Sequence, residues 1–249
     1  MTTRRASLWP REHGAYVQLL APILAAYVVA PSFAGALLAI AGFAVFVAFE
    51  PFRVLAGLRG TRRRDTERTR ARTRLVLLAA VALSGVAAAI VRAPSILPAL
   101  ALTGVIGAIV IVLAWKRAVT TLVGEAVAAS ALSGGAAPVL VAGGVSLMDA
   151  VITWTVWSIG YATTVIAVHH VLEKHRARTA TLARIIVVAA IAVASVVAGD
   201  ARALAITPLA LSSMAIVVMS PSARRVRAIG VAFLIASLVS AAALIAATF

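Results

Sequence analysis

The chain has 249 residues, of which 63% are hydrophobic and 12% charged, and its mean hydropathy is +1.06. A soluble domain of this length has too little interior to bury so much apolar side chain, so the composition excludes a soluble globular protein and calls for an integral membrane one. The lack of cysteine excludes disulfides, thiol catalysis and thiolate metal sites, and the net charge of +15 is explained by where the charges lie.

Apolar stretches predict membrane spans over residues 13–30, 33–50, 75–92, 95–115, 119–142, 150–172, 184–199, 203–219 and 228–248. Each is close to the ~20 residues that cross a bilayer as a helix. None alternates with period two, and an open strand edge does not survive in hydrocarbon, so the expected fold is all-α, a single transmembrane domain over 1–249 with nine helices. The first stretch does not read as a cleaved signal, because Arg4 and Arg5 lead into Trp9-Pro10-Arg11-Glu12-His13 rather than a clean apolar run. Pro22, Pro138 and Pro208 fall inside the first, fifth and eighth predicted spans, where each removes a backbone hydrogen bond and bends its helix. A run of small residues from Ala128 to Ala137 lets neighbouring helices approach closely.

The second span runs into Glu50-Pro51-Phe52-Arg53 and then into the most basic part of the chain. Arg53 to Arg74 holds nine of the 23 basic residues, and residues 57–74 are expected to form the longest loop. The amino-terminal tail and the connections after the second, fourth, sixth and eighth spans hold 3, 9, 2, 4 and 3 Lys and Arg, leaving only Arg92 and Arg202 for the other side. The positive-inside rule then puts the amino terminus in the cytoplasm and the carboxyl terminus outside. Both polar collars, the arginine stretch and His169-His170-Val171-Leu172-Glu173-Lys174-His175-Arg176, face the cytoplasm in that arrangement and can close over one cavity mouth.

Of the eight acids, Glu50, Glu125 and Glu173 lie at or inside membrane boundaries, where an ionisable group is costly and marks a candidate site. Glu50 and Arg53, like Glu173 and Arg176, are three apart and meet side by side on a helix, either as an ion pair at a helix end or as part of a site. His169 and Glu173 are four apart, with Tyr161 further along the same face. That spacing suits a metal ligand pair, or else a polar helix end wetted by water. Glu125 has to face a polar cavity or find a cationic partner. The arginine stretch itself has two open readings. It can enforce topology and attract anionic membrane lipid, at about 1 kcal/mol per basic residue, or it can hold a phosphorylated ligand, since guanidinium forks match phosphate oxygens. No aromatic interleaving or nucleic-acid module accompanies the charge, so nucleic acid is not an expected partner.

Trp9-Pro10-Arg11-Glu12-His13-Gly14-Ala15-Tyr16, followed by Pro22, resembles the YwiC-like family of bacterial membrane proteins, which brings little function with it. Nine helices, an external carboxyl end and large connections after spans two and six resemble the UbiA-type intramembrane prenyltransferase superfamily, as does Lys116-Arg117 followed by Thr120 and Gly124. That resemblance implies a bacterial cell-membrane enzyme that binds an isoprenoid or other lipid diphosphate. In that superfamily Mg²⁺ is held by Asp-rich motifs on the two large connections. This chain departs there: the corresponding positions hold Glu50-Pro51-Phe52-Arg53 and His169-His170-Val171-Leu172-Glu173, too few acids for the usual Mg²⁺ cluster. The expectation is therefore a prenyltransferase-like protein with reduced metal dependence. Arg53, Arg59, Lys116, Arg117 and Arg176 would neutralise the diphosphate, with Glu125 and Tyr161 also on the substrate. Glu50, His169 and Glu173 would handle a proton or one Mg²⁺. The alternative is a non-catalytic lipid binder or a proton-linked transporter built on Glu125 and the histidine collar.

Overall fold

The computed structural model describes residues 7–10, 13–172, 199 and 201–248, and every regular element among them is helical. In chain order these are α1 (His13–Val29), α2 (Phe33–Leu55), α3 (Thr61–Arg92), α4 (Leu97–Trp115), α5 (Leu122–Ser133), α6 (Ala136–Ala142), α7 (Leu147–Leu172), α8 (Thr207–Met219) and α9 (Val226–Thr248). Short 3₁₀ turns at Pro94–Ile96, Ala201–Ile206 and Ala223–Arg225 lead into α4, α8 and α9. Counting α5 with α6, and α4 and α8 with their leading turns, seven helical stretches among the described residues are long and apolar enough to cross a membrane, and α1 is a shorter apolar helix. The span expected over 184–199 lies outside the described residues apart from Gly199.

Three elements differ from the sequence reading, each for a local reason. The stretch expected to be a loop over 57–74 is helical from Thr61. Arginine is a good helix former, Arg70 pairs with Glu67 one turn back at 3.3 Å, and the Thr66 hydroxyl donates to the Arg62 carbonyl. The fifth span is broken into α5 and α6 at Gly134-Gly135, with Pro138 in the first turn of α6, where its missing N–H costs least. Pro208 likewise opens α8 instead of bending it.

α2 and α3 form an antiparallel hairpin. A Cβ on Gly85 would stand 3.2 Å from the Leu37 carbonyl and 3.3 Å from the Ala41 side chain, so the absence of a side chain sets how closely the two helices pack. α1 runs through the interior, with Leu19 and Ile23 in one buried cluster beside Leu38, Val47 and Trp154, and Ala21 and Ala25 in a second beside Trp157, Tyr161, Leu209 and Leu244. Lipid tails are as apolar as leucine, so close packing and polar contacts between helices carry the association. α7 carries several such contacts: Ser158 to Ser130 at 3.0 Å, Trp154 Nε1 to the Ser130 carbonyl at 2.8 Å, and Ser213 to Thr163 at 3.1 Å. The large exposed side chains of α3 and α4, among them Leu77, Leu83, Val91 and Val105, are what a bilayer would cover.

Ahead of α1, residues Ser7 to Pro10 strap the α2–α3 hairpin. Leu8 is wholly buried between Val54 and Ala71. Arg63 Nη2 donates to the Ser7 carbonyl at 2.7 Å, and the Arg74 guanidinium lies 4.4 Å from the centre of the Trp9 ring.

Candidate functional site

The arginine end of the bundle is built on two similar turns. At the end of α2, Gly57 N donates to the Val54 carbonyl and Leu58 N to the Arg53 carbonyl, with Gly57 at φ 73°. This is a Schellman closure, in which a left-handed residue satisfies the last carbonyls of the helix. At the end of α4, Arg117 N donates to the Ala114 carbonyl and Ala118 N to the Leu113 carbonyl. Arg117 is the left-handed residue there, at φ 55°. A Cβ at that φ costs roughly 1–2 kcal/mol, which glycine would avoid.

Both turns open on one cleft of about 360 Å³, lined by Phe49, Arg53, Gly57, Leu58, Gly60, Ala114, Arg117, Val119 and Thr120. Arg53 and Arg117, two of the residues expected at a phosphate, thus share one cavity against apolar walls. Lys116 sits beside Arg117 as the capping residue of α4 and is exposed.

The turn at Gly57 also sends the chain back toward Glu50. That carboxylate is 3% exposed and takes two bonds from Arg59, Nη2 to Oε2 at 2.7 Å and Nε to Oε1 at 3.1 Å, while Arg63 Nη1 stands 3.4 Å away. Charge-assisted, two-point contacts of this kind are the strong ones. The neighbour expected from helical spacing, Arg53, instead has its guanidinium 5.7 Å from the centre of the Phe49 ring and lines the cleft.

Glu125 finds a partner across the bundle in a histidine. It lies in the first turn of α5, whose cap Thr121 accepts from Gly124 N at 3.1 Å, and its Oε2 is 3.0 Å from His169 Nε2 in the last turn of α7. Two residues assigned to different roles by sequence are thus one contact. Tyr161 is in the packed core: it is 2% exposed, its ring stacks on Trp157 at 5.5 Å, and its hydroxyl donates to the Val17 carbonyl at 3.2 Å. Glu173 and Arg176 lie outside the described residues. Sequence reasoning missed Arg63 as a partner of Glu50 and Thr120 as a wall of the cleft. Neither carries a local signal, because both are placed by helix-to-helix packing.

Mg²⁺ requires several oxygen ligands in an octahedron. Among the described residues no three of His, Asp and Glu converge, and the Glu50 carboxylate is engaged by two guanidiniums, so these residues do not fit a Mg²⁺ cage.

No curated protein and no solved structure matches the chain. The family model described as YwiC-like protein matches residues 9–142, which takes in α1 to α6 and therefore the Glu50 cluster, the cleft and Glu125. With more than half of its residues matched, the chain belongs to the YwiC-like protein family.

Proposed function

We propose that this protein binds an isoprenoid or other lipid diphosphate at the Arg53–Arg117 cleft, as an intramembrane prenyltransferase-like protein of the UbiA-type architecture. The observation that carries this reading is that two arginines, Arg53 and Arg117, the latter with its backbone in the left-handed region, line one cleft with Phe49, Leu58, Ala114 and Val119 as apolar walls. A diphosphate needs fixed cations and a prenyl tail needs an apolar wall. Arg53 and Arg117 take the phosphate oxygens. Lys116 adds positive field from the rim, and Glu50 keeps Arg59 beside the turn. In a transfer reaction the arginines stabilise the charge that builds on the departing diphosphate, and the His169–Glu125 pair takes the proton released by the acceptor. The protein lies in the bacterial cell membrane with this end in the cytoplasm.

A second reading rests on the His169–Glu125 contact, 3.0 Å long and bridging α5 and α7. An ionisable pair joining two membrane helices also suits a proton-linked transporter. The test compares farnesyl diphosphate with farnesol on the detergent-solubilised protein. A ligand that prefers the native state raises the melting temperature. The diphosphate should raise it clearly more than the alcohol, and Arg117→Gln should remove the difference. Equal shifts from both compounds would point to an apolar groove alone and exclude the arginines from the site.

A further inference from the structure

A second cavity lies at the opposite end of the bundle, where the chain has almost no basic residues. It holds about 260 Å³ and is bounded by Ala26 and Val29 at the end of α1, Leu140, Val145, and Leu244 and Ala247 at the end of α9. Among the described residues its polar groups are Asp149, Thr153 and Arg202. Arg202 Nη1 meets Asp149 Oδ1 at 2.8 Å, and the Ser146 hydroxyl holds the other oxygen, Oδ2, at 2.6 Å. Asp149 and Thr153 are one turn apart on α7, so carboxylate and hydroxyl share a face.

Among the described residues the lining has one charge of each sign and an apolar remainder. A simple anion in this cavity would meet Asp149, and a simple cation would meet Arg202. A ligand carrying both signs satisfies both without opening the existing pair, since a carboxylate accepts up to about four hydrogen bonds and a guanidinium offers five N–H. The cavity, at about 260 Å³, has room for a polar head group. We propose that this cavity is a binding site for a zwitterion of phosphate and primary ammonium, the phosphate on Arg202 and the ammonium on Asp149 and Thr153. The walls supplied by α1 and α9 favour the lipid-borne form, a phosphoethanolamine head with its glycerol against Leu140 and Leu244. The site stands apart from the arginine cleft, and its occupancy does not depend on what that cleft binds.

The experiment measures melting temperature of the full chain in a non-ionic maltoside detergent. The additives are dihexanoyl phosphatidylethanolamine, dihexanoyl phosphatidylglycerol and free phosphoethanolamine. The ethanolamine lipid should raise the melting temperature of the unaltered protein. Asp149→Asn and Arg202→Gln should each cut that rise by more than half, while Arg117→Gln leaves it unchanged. The glycerol lipid, an anion, should show the reverse dependence, falling with Arg117→Gln and not with Asp149→Asn. Thr153→Val, which keeps the fold-bearing ion pair, should weaken the ethanolamine response by a smaller factor. A rise from free phosphoethanolamine equal to that from the lipid would keep the zwitterion site and assign it a soluble ligand. An ethanolamine response that survives Asp149→Asn, Arg202→Gln and Thr153→Val, or no response in the unaltered protein, would overturn the proposal.

Discussion

Glu50→Gln tests whether the arginine end of the bundle is organised by a buried carboxylate. The substitution keeps shape and volume and removes one negative charge from a position that is 3% exposed. Breaking a buried ion pair by removing one partner costs about 3–5 kcal/mol, because the remaining charge is stranded. Here the stranded groups are Arg59 and Arg63, whose side chains are 28% and 22% exposed, so water recovers part of that. The expected loss is about 2–3 kcal/mol. The assay is reversible unfolding by a denaturing detergent, following helical signal. Glu50→Gln combined with Arg59→Gln should lose less than the two single losses added together, by about 1–2 kcal/mol, because the groups share one network. A carboxylate free to serve as a metal or substrate ligand predicts the opposite: neutralising it would leave stability unchanged or raise it. A loss below about 0.5 kcal/mol, or additive effects, would refute the organising role.

Glu125→Gln should cost less than Glu50→Gln, about 0.5–1 kcal/mol in the same unfolding assay, because Glu125 is 38% exposed and its pairing is partly solvated. Gly143→Ala should destabilise by about 1–3 kcal/mol, since the new Cβ would run into the carbonyl and Cβ of Ala30 at the end of α1, and backbone there cannot give way. Gly104→Ala, in the middle of α4 with open space around it, serves as the control and should be neutral or stabilising by up to about 1 kcal/mol. A reporter enzyme fused after Phe249 should be active only outside the cytoplasm, as the distribution of Lys and Arg requires; cytoplasmic activity would mean a different number of crossings.

The apolar stretches were legible because a bilayer imposes length and hydropathy on each span separately, and α2, α4, α7 and α9 fall close to where hydropathy put them. The arginine stretch is a helix and not a loop because arginine, for all its charge, is a good helix former. With only five residues between Leu55 and Thr61, and glycines at 57 and 60 to reverse the chain, the same residues make a hairpin and not a loop. Within the site, Arg53 and Arg117 were nameable as phosphate ligands from residue type, but their sharing one cleft depends on how α2 and α4 terminate. The partners of Glu50 and Glu125 were not legible. Arg59 is nine positions beyond Glu50 and His169 is 44 beyond Glu125, and helical spacing reports only on neighbours three or four residues away.

The strap at Ser7 to Pro10 gives the chain a fixed order of assembly. Leu8 is synthesised before α1 to α9, yet the side chain that covers it, Ala71, belongs to α3, and the Arg63 donor to Ser7 comes 56 residues later. During synthesis Leu8 and Trp9 therefore wait uncovered at the membrane surface until α2 and α3 have both been inserted and paired. The closing step joins distant parts of the chain, and its entropy cost grows only slowly with the length of the loop closed, so the strap can seat late without a large penalty. Its docking is then a signal that the first hairpin has inserted in the right sense, because an inverted hairpin would carry Arg63, Ala71 and Arg74 to the far side of the membrane, out of reach of the amino-terminal segment.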